Sequence, residues 1–594
     1  MLRLVRYLKP YLLSLVILLA LLYGQTTANL ALPDYMARIV NRGIVGQDTD
    51  LVYRTGFRML LVALGGGVCM IGVGFLASRI ATGMTRTLRD DTFTKIEEFS
   101  LIEFNKFSTA SLITRCTNDM QQIQMVLVVL LRLALMAPFM GIGAIIKAYN
   151  LAPSMTWIMA VAIGVLMIMI VAIFTAAMPR FGRLQKLVDR LNLVTRESLT
   201  GLRVIRAFNR EEFEEDKFDR ANRELTDANL VVNRLTALLQ PMMMLILNFT
   251  SIAVVWVGAH RIDDGRLEIG DMLAFLQYAM QSIFAFLMIS MIFIMVPRAA
   301  VSARRVMEVL DTEPTIRDPE QPVVAPDRGG MVEFRDVTFT YPGAEEPVLH
   351  RISFTALPGE TTAFVGPTGS GKSTLIGLIE RFYDATEGQV LVDGVDVREM
   401  RQEDLRAKIG YVSQRAILFS GTIESNIRYG SDQATMDELE KAASTAQATE
   451  FIEQSDGRFE RPIAQGGANV SGGQKQRLAI ARAIARQPEI YIFDDSFSAL
   501  DFRTDAMLRA ALSQETQNKT VLIVAQRIST IMHAEKIVVL DSGRIVGQGR
   551  HQELLNTCEV YREIAASQLS EAELAMATGD QDSAVTAERG ASIS

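Results

Sequence analysis

Cysteine is nearly absent from this chain of 594 residues: Cys69, Cys116 and Cys558 are odd in number and far apart. That excludes a disulfide framework and a cysteine-based metal spacing, and it suits a reducing cytosol or a membrane facing it. An excess of positive charge is also missing. Lys and Arg number 60 against 67 Asp and Glu, a net charge of −7, so no global basic field argues for nucleic acid as a partner. Nor is the chain poor in apolar residues. Hydrophobic residues make up 49% against 21% charged, and mean hydropathy is +0.20, too apolar for a disordered chain and high for a wholly soluble one. No cleavable leader is evident, because the apolar run after Arg3, Arg6 and Lys9 stays uncharged to residue 33 without a small-x-small exit. The length calls for more than one folding unit.

What is present is unevenly spread. Uncharged stretches run over 10–33, 59–78, 148–179, 235–260 and 272–297, each long enough to cross ~30 Å of hydrocarbon at 1.5 Å per residue. A sixth span is expected over 125–146 in spite of Arg132, which is either a helix-to-helix anchor or part of a substrate pathway. The polar segments 79–124 and 180–234, the second rich in Arg and Lys, lie with the basic N-terminus on the cytoplasmic side by the positive-inside rule. Arg38, Arg42, Arg54 and Arg58 in the first outer loop run against that rule. Val188, Leu191, Val194, Leu199 and Leu202 recur at helical spacing, so the spanning helices are expected to continue into the cytosol as a bundle. Six spans put both termini in the cytoplasm, in a multi-pass protein of the cell membrane. The expected organisation is a transmembrane domain over 1–310 and a linker over 311–330 marked by Pro314, Pro319, Pro322, Pro326 and Gly329-Gly330. A nucleotide-binding domain over 331–569 and a disordered polar tail over 570–594 follow.

From Met331 short β runs alternate with helical patterns, an α/β layout. Thr362–Val365 leads into Gly366, Pro367, Thr368, Gly369, Ser370, Gly371, Lys372, Ser373 and Thr374, and then an apolar helix, the context a P-loop requires. The glycines let backbone N–H groups face phosphate, Lys372 reaches the β and γ oxygens, and the Ser373 hydroxyl ligates magnesium. The strand Ile490–Phe493 ends at Asp494, where a carboxylate ligating magnesium through water belongs. Ser471, Gly472, Gly473 and Gln474 open another helix and form a second anion-facing surface, and one domain cannot close both surfaces on one nucleotide.

Together these motifs resemble the ATP-binding cassette (ABC) family, specifically half-size ABC exporters, with the resemblance covering residues 1–569. It implies a six-helix α transmembrane domain fused to an α/β P-loop ATP-binding cassette, an ATPase using ATP and Mg2+ to drive export by alternating access. In that family two cassettes pack head to tail, and each ATP lies between one P-loop and the other chain's Ser-Gly-Gly-Gln signature. By position Tyr341 would stack on adenine, unless it is a core tyrosine. Gln414 would sense magnesium and the attacking water, unless it is a surface polar residue. Ser498, Ala499, Leu500 and Asp501 would be the loop crossing the dimer. The segments Ser100–Thr109 and Val204–Phe213 are placed like short coupling helices that dock on cassettes, with Phe208 as a knob or an intraloop contact.

The sequence departs from the hydrolytic pattern at two points of one site. Asp495 follows Asp494 where the family carries glutamate, and a carboxylate withdrawn by about an ångström can cost on the order of a hundredfold in a positioned reaction. Gln526 stands where the family has the switch histidine, and an amide brings no titratable charge. Gln465 also replaces a glutamate of many homodimeric exporters. This resembles the degenerate-site subunit of heterodimeric multidrug exporters. It implies a partner half-transporter supplying the glutamate and histidine, a lipid bilayer, and a drug-like or amphipathic small-molecule substrate. Methionines at 242–244, 280, 288, 291 and 295 suit loosely defined apolar ligands, or lipid-facing and packing surfaces. A homodimeric lipid or metabolite exporter with Asp495 as base, and a gating or regulatory subunit holding ATP as ligand, stand as alternatives.

Overall fold

A computed structural model describes residues 2–569; the segment 570–594, expected to be a disordered tail, lies outside the described residues. The chain forms two compact units. One comprises the chain up to Glu97 together with Ser108–Thr312, and the other Glu98–Phe107 together with the chain from Glu313.

The first unit is helical because its sequence is apolar over stretches too long for a strand. Among the described residues six helical stretches are long and apolar enough to cross a membrane: Leu4–Ile44, Thr49–Glu97, Thr109–Leu151, Pro153–Thr200, Glu211–Asp263 and Ile269–Ile289. The second has 49 residues and is about 74 Å long, more than twice a ~30 Å hydrocarbon layer. Pro33, Pro138, Pro179 and Pro297 sit inside helices, which neighbouring helices tolerate by re-satisfying the freed carbonyls. Small side chains let the backbones close on each other: Ala77, Ala81, Ala137, Ala144 and Ala148 are buried. A Cβ at Gly143 would lie 2.4 Å from Leu30 Cδ1. Several polar groups in this packing are paired. The buried Tyr278 hydroxyl lies 2.6 Å from Asp34 Oδ1 and 2.8 Å from the Leu30 carbonyl, and Lys147 Nζ meets Asp34 at 2.7 Å. Arg132 lies in a π-helical turn, Leu130–Ala134, is exposed, and has no ion-pair partner among the described residues.

Asp119 is the most deeply buried charge of this unit. At 0% exposure it accepts from Ser302 Oγ at 2.7 Å and Arg305 Nη2 at 2.5 Å, while Arg115 bonds the Arg305 carbonyl at 2.7 Å and Glu308 at 3.0 Å. Asp119→Ala should therefore destabilise the unit by about 1–3 kcal/mol, the lower end reflecting that Arg305 can turn to water. A thermal midpoint of the detergent-solubilised protein several degrees lower is expected, and an unchanged midpoint would discount the network.

Among the described residues the second unit carries a four-stranded and a six-stranded sheet, besides the short pairing of Gly421–Thr422 with Pro462–Ile463. The four-stranded one pairs Val332–Phe339 antiparallel with Leu349–Ala356 and Glu387–Val392. The larger runs in the order Arg544–Gly549, Lys536–Asp541, Thr361–Val365, Thr520–Val524, Ile490–Asp494 and Ile409–Val412, parallel except at the first pair. Its central strands, TVLIV and IYIFD, are buried at every position, as expected of a sheet covered on both faces. Side chains alternate between the two covers: Val521 and Ile523 enter one core, Leu522 and Val524 the other. The short helix Leu101–Phe107 joins this unit through Glu103, which is buried and accepts from the Thr315 amide at 3.2 Å, and through Asn105, which hydrogen-bonds the Tyr383 phenol.

Candidate nucleotide site

Parallel register brings the site together. Val524 pairs with Asp494 and Phe364, and Val412 with Phe493, so four strands end level. Just beyond those ends come Gly366, Gln414, Asp495 and Gln526, at the carboxyl edge where open α/β sheets bind ligands. The P-loop leaves its strand and turns into the helix Lys372–Ile379 through Gly371 at φ +94°, where a Cβ would also approach Leu349 Cδ2 at 2.6 Å.

Lys372 is buried and folds back on the loop. Its Nζ donates to Gly366 O at 2.8 Å, Pro367 O at 2.7 Å and Ser370 Oγ at 3.2 Å. No carboxylate among the described residues pairs with it directly. Burial pushes the ammonium below its usual range, while Asp495 and Asp494 pull it back. A cation held by neutral oxygens at a helix N-terminus is a fit for an incoming phosphate. Pro367, Thr368, Gly369 and Ser373 remain exposed along the rim, while Ser370, Gly371 and Thr374 are buried. Ser373 Oγ donates to Asp494 Oδ1 at 3.2 Å. A hydroxyl and a carboxylate facing each other are the hard oxygen donors that Mg2+ takes alongside water and phosphate. Burial raises the Asp494 carboxyl, the Ser373 bond and Lys372 oppose this, and the adjacent Asp495 adds to it.

Asp495 is the hub of the remaining polar groups. Its backbone is left-handed at φ +47°, and Oδ2 accepts from Gln414 Nε2 at 3.2 Å and Gln526 Nε2 at 3.1 Å. Burial raises its carboxyl, with the Gln414 bond the first opposing influence. Tyr341 is half-buried: its hydroxyl lies 2.9 Å from Thr374 Oγ1, and its ring meets Phe339 and Tyr383 edge-on at 4.9 and 5.2 Å.

Ser471, Gly472, Gly473 and Gln474 form a separate surface. Ser471 caps the helix Gly472–Ala485 in a closed capping box: its Oγ accepts from Gln474 N at 3.3 Å and Gln474 Oε1 accepts from Ser471 N at 3.0 Å. A Cβ at Gly472 would meet nothing within 4 Å. Asp501 caps the helix Phe502–Glu515, accepting from Thr504 N at 2.9 Å, and this bond holds its carboxyl below the usual range. No hydrogen bond among the described residues joins Ser471–Gln474 or Asp501 to the P-loop. Gln465 sits in the turn Gln465–Gly467 just before the signature.

Two contributors carry no sequence signal. Arg527 Nη2 donates to Ser498 O at 3.2 Å. Gln568, 42 residues beyond Gln526, donates to Gln526 O and accepts from Ile528 N, both at 2.8 Å. Arg527 follows the switch position but its partner is not encoded there, Gln568 sits in no motif, and pairings at such separation leave no periodicity to read.

Comparison with known proteins gives the same division. Residues 15–286 match the model of the ABC transporter transmembrane region and residues 349–498 that of the ABC transporter. An uncharacterized ABC transporter ATP-binding protein of Mycobacterium tuberculosis is 45% identical over 95% of this chain and 97% of its own length. The ATP-dependent lipid A-core flippase of Desulfotalea psychrophila is 33% identical over 82% of this chain and 85% of its own. Among solved structures, a bacterial Atm1-family ABC exporter with ATP bound superimposes with a TM-score of 0.79 at 27% identity, covering 95% of this chain and 99% of that one. Six membrane-spanning helices followed by an α/β cassette with an ATP-binding edge, matched along nearly the whole chain, make this protein a member of the ABC transporter family, of the exporter type, with an ATPase coupled to transport.

Proposed function

We propose that this chain is the degenerate-site half of a heterodimeric exporter, moving an apolar or amphipathic small molecule out of the cell by alternating access. The observation that carries the reading is the Asp495–Gln526 pair, 3.1 Å apart at the end of adjacent strands, while the Ser471–Gln474 capping box stands complete. On this reading Lys372 and the P-loop amides bind the phosphates of ATP and Tyr341 carries its adenine. Ser373, Gln414 and, through water, Asp494 would hold Mg2+. Mg2+, when bound, neutralises charge on the β and γ oxygens. Asp495 is too short, and already too engaged with two amides, to orient water well. Gln526 reaches the γ-phosphate without a titratable charge. Ser471, Gly472, Gly473, Gln474 and Asp501 serve the partner's nucleotide, and the partner returns a glutamate and a histidine. Co-purification from native membranes should bring down a second half-transporter, and ATPase activity of the pair should exceed that of either chain by at least about tenfold. Full activity of this chain alone would reject the heterodimer.

The flippase relative favours a second reading, a homodimeric lipid exporter in which Asp495 works as base. The rates of Asp495 and Ser471 variants separate the two.

The cassette is proposed to lie in the cytoplasm with both termini. Arg203 and Asp264 are exposed on different connections of the helical unit. In a background lacking the three native thiols, Arg203→Cys should label with an impermeant reagent only from the inner face and Asp264→Cys only from the outer. Labelling of both from one face would overturn the orientation. The short helix Leu202–Ala207 has no buried residue and Phe208 is 73% exposed, which fits a knob awaiting a cassette.

A further inference from the structure

Residues 525–527 form a short link between the strand Thr520–Val524 and the four-residue helix Ile528–Ile531. Arg527 between them has φ −98° and ψ 125°, so the carbonyl of Gln526 and the amide of Ile528 point to the same side, as they would toward a neighbouring strand. Among the described residues no strand and no side-chain cap of the helix itself meets them. The Gln568 side chain does: Nε2 donates to Gln526 O and Oε1 accepts from Ile528 N, each at 2.8 Å. One amide thus takes the place of a strand partner and satisfies a backbone pair that helix and sheet leave open.

Gln568 is itself fixed. It follows the helix Glu559–Ala566, whose Tyr561 and Ala565 are buried at 0% exposure, and its own N–H bonds Ala565 O at 3.0 Å. Tyr561 is anchored in turn by His551, 2.7 Å from its hydroxyl. The link it grips carries two outward contacts: Gln526 to Asp495 at 3.1 Å, and Arg527 to Ser498 O at 3.2 Å, with the Arg527 guanidinium over the Phe502 ring.

We infer that Gln568 is a positioning residue for the switch position: by clasping the backbone on both sides of Arg527 it holds the Gln526 amide toward the nucleotide edge. It thereby slows the release of bound ATP from this chain. The inference rests on the reading that Gln526 faces the γ-phosphate. It makes the C-terminal end of the cassette a working part of the ATP site, although Gln568 touches no nucleotide.

The test uses the full-length protein with its partner in nanodiscs. Three changes are compared with the parent: Gln568→Ala, which removes both bonds; Gln568→Glu, which keeps the acceptor for Ile528 N and loses the donor; and a chain ended after Leu569, which keeps the clasp. Amide exchange over 524–530 and the dissociation rate of a fluorescent ATP analogue with Mg2+ are read together with the thermal midpoint. Gln568→Ala should raise exchange at Ile528 about tenfold and speed release of the analogue roughly three- to tenfold, with the midpoint unchanged. Gln568→Glu should keep Ile528 protected while release is still faster, and the chain ended after Leu569 should behave as the parent. Unchanged exchange in Gln568→Ala overturns the clasp. Faster exchange without faster release overturns positioning, and so does a loss that follows a fall in midpoint. Exchange is read without nucleotide, so failure of the ATP-site assignment is seen separately, as retained binding in Lys372→Ala.

Discussion

Lys372→Ala should lower the affinity of the full chain for Mg-ATP by about ten- to a hundredfold. The estimate follows from removing a charge-assisted contact to phosphate in a partly desolvated site, worth roughly 1.5–3 kcal/mol, where each 1.4 kcal/mol is tenfold. Lys372 is buried, and its three bonds end on neutral acceptors, the Gly366 and Pro367 carbonyls and the Ser370 hydroxyl, so no buried charge is left unpaired when the ammonium is gone. The fold should therefore survive the change. Equilibrium titration with labelled ATP reads the effect, and affinity within twofold of the parent would remove the P-loop assignment.

The second large effect separates two sites on one chain. Ser471→Arg inserts a long cation into the signature and removes its phosphate contact, so turnover of the assembled pair should fall on the order of a hundredfold. Losing the helix cap costs about 1 kcal/mol, which a thermal midpoint would reveal and which is too little to explain such a loss. Asp495→Asn should leave turnover within a few-fold. The carboxylate it replaces is engaged by Gln414 and Gln526 through one oxygen, 3.2 and 3.1 Å away, and lies a methylene short of where glutamate reaches. Both variants are measured at saturating Mg-ATP with occupancy checked, so that lost binding is not taken for lost chemistry. Equal silencing by the two changes would make Asp495 a working base and favour the homodimer.

Local signals in the chain were strong where the physics is local. Five uncharged stretches, the P-loop and the apolar strand before Asp494 each state their element outright, since length, glycine placement and continuous burial are written in consecutive residues. Other features depend on pairings far apart in sequence. The helix Leu101–Phe107 belongs with the cassette because Glu103 meets Thr315 and Asn105 meets Tyr383, which no periodicity encodes. The rich polar shell of Asp495 arises because parallel register sets Gln414 and Gln526 at neighbouring strand ends, 81 and 31 residues away. Arg132 was open between anchor and pathway. It lies exposed in a π-helical turn, and no ion pair among the described residues chooses between the two.

The central claim is that this chain holds ATP while its partner's P-loop hydrolyses. Trapping with vanadate after turnover of a photoreactive, radiolabelled ATP tests it most directly, because the label stays at the P-loop where cleavage has occurred. With the assembled pair, trapped label is expected on the partner's P-loop peptide and at most a small fraction on the peptide containing Lys372. Equal vanadate-dependent labelling of the Lys372 peptide would show a hydrolytic site here and contradict the asymmetric account.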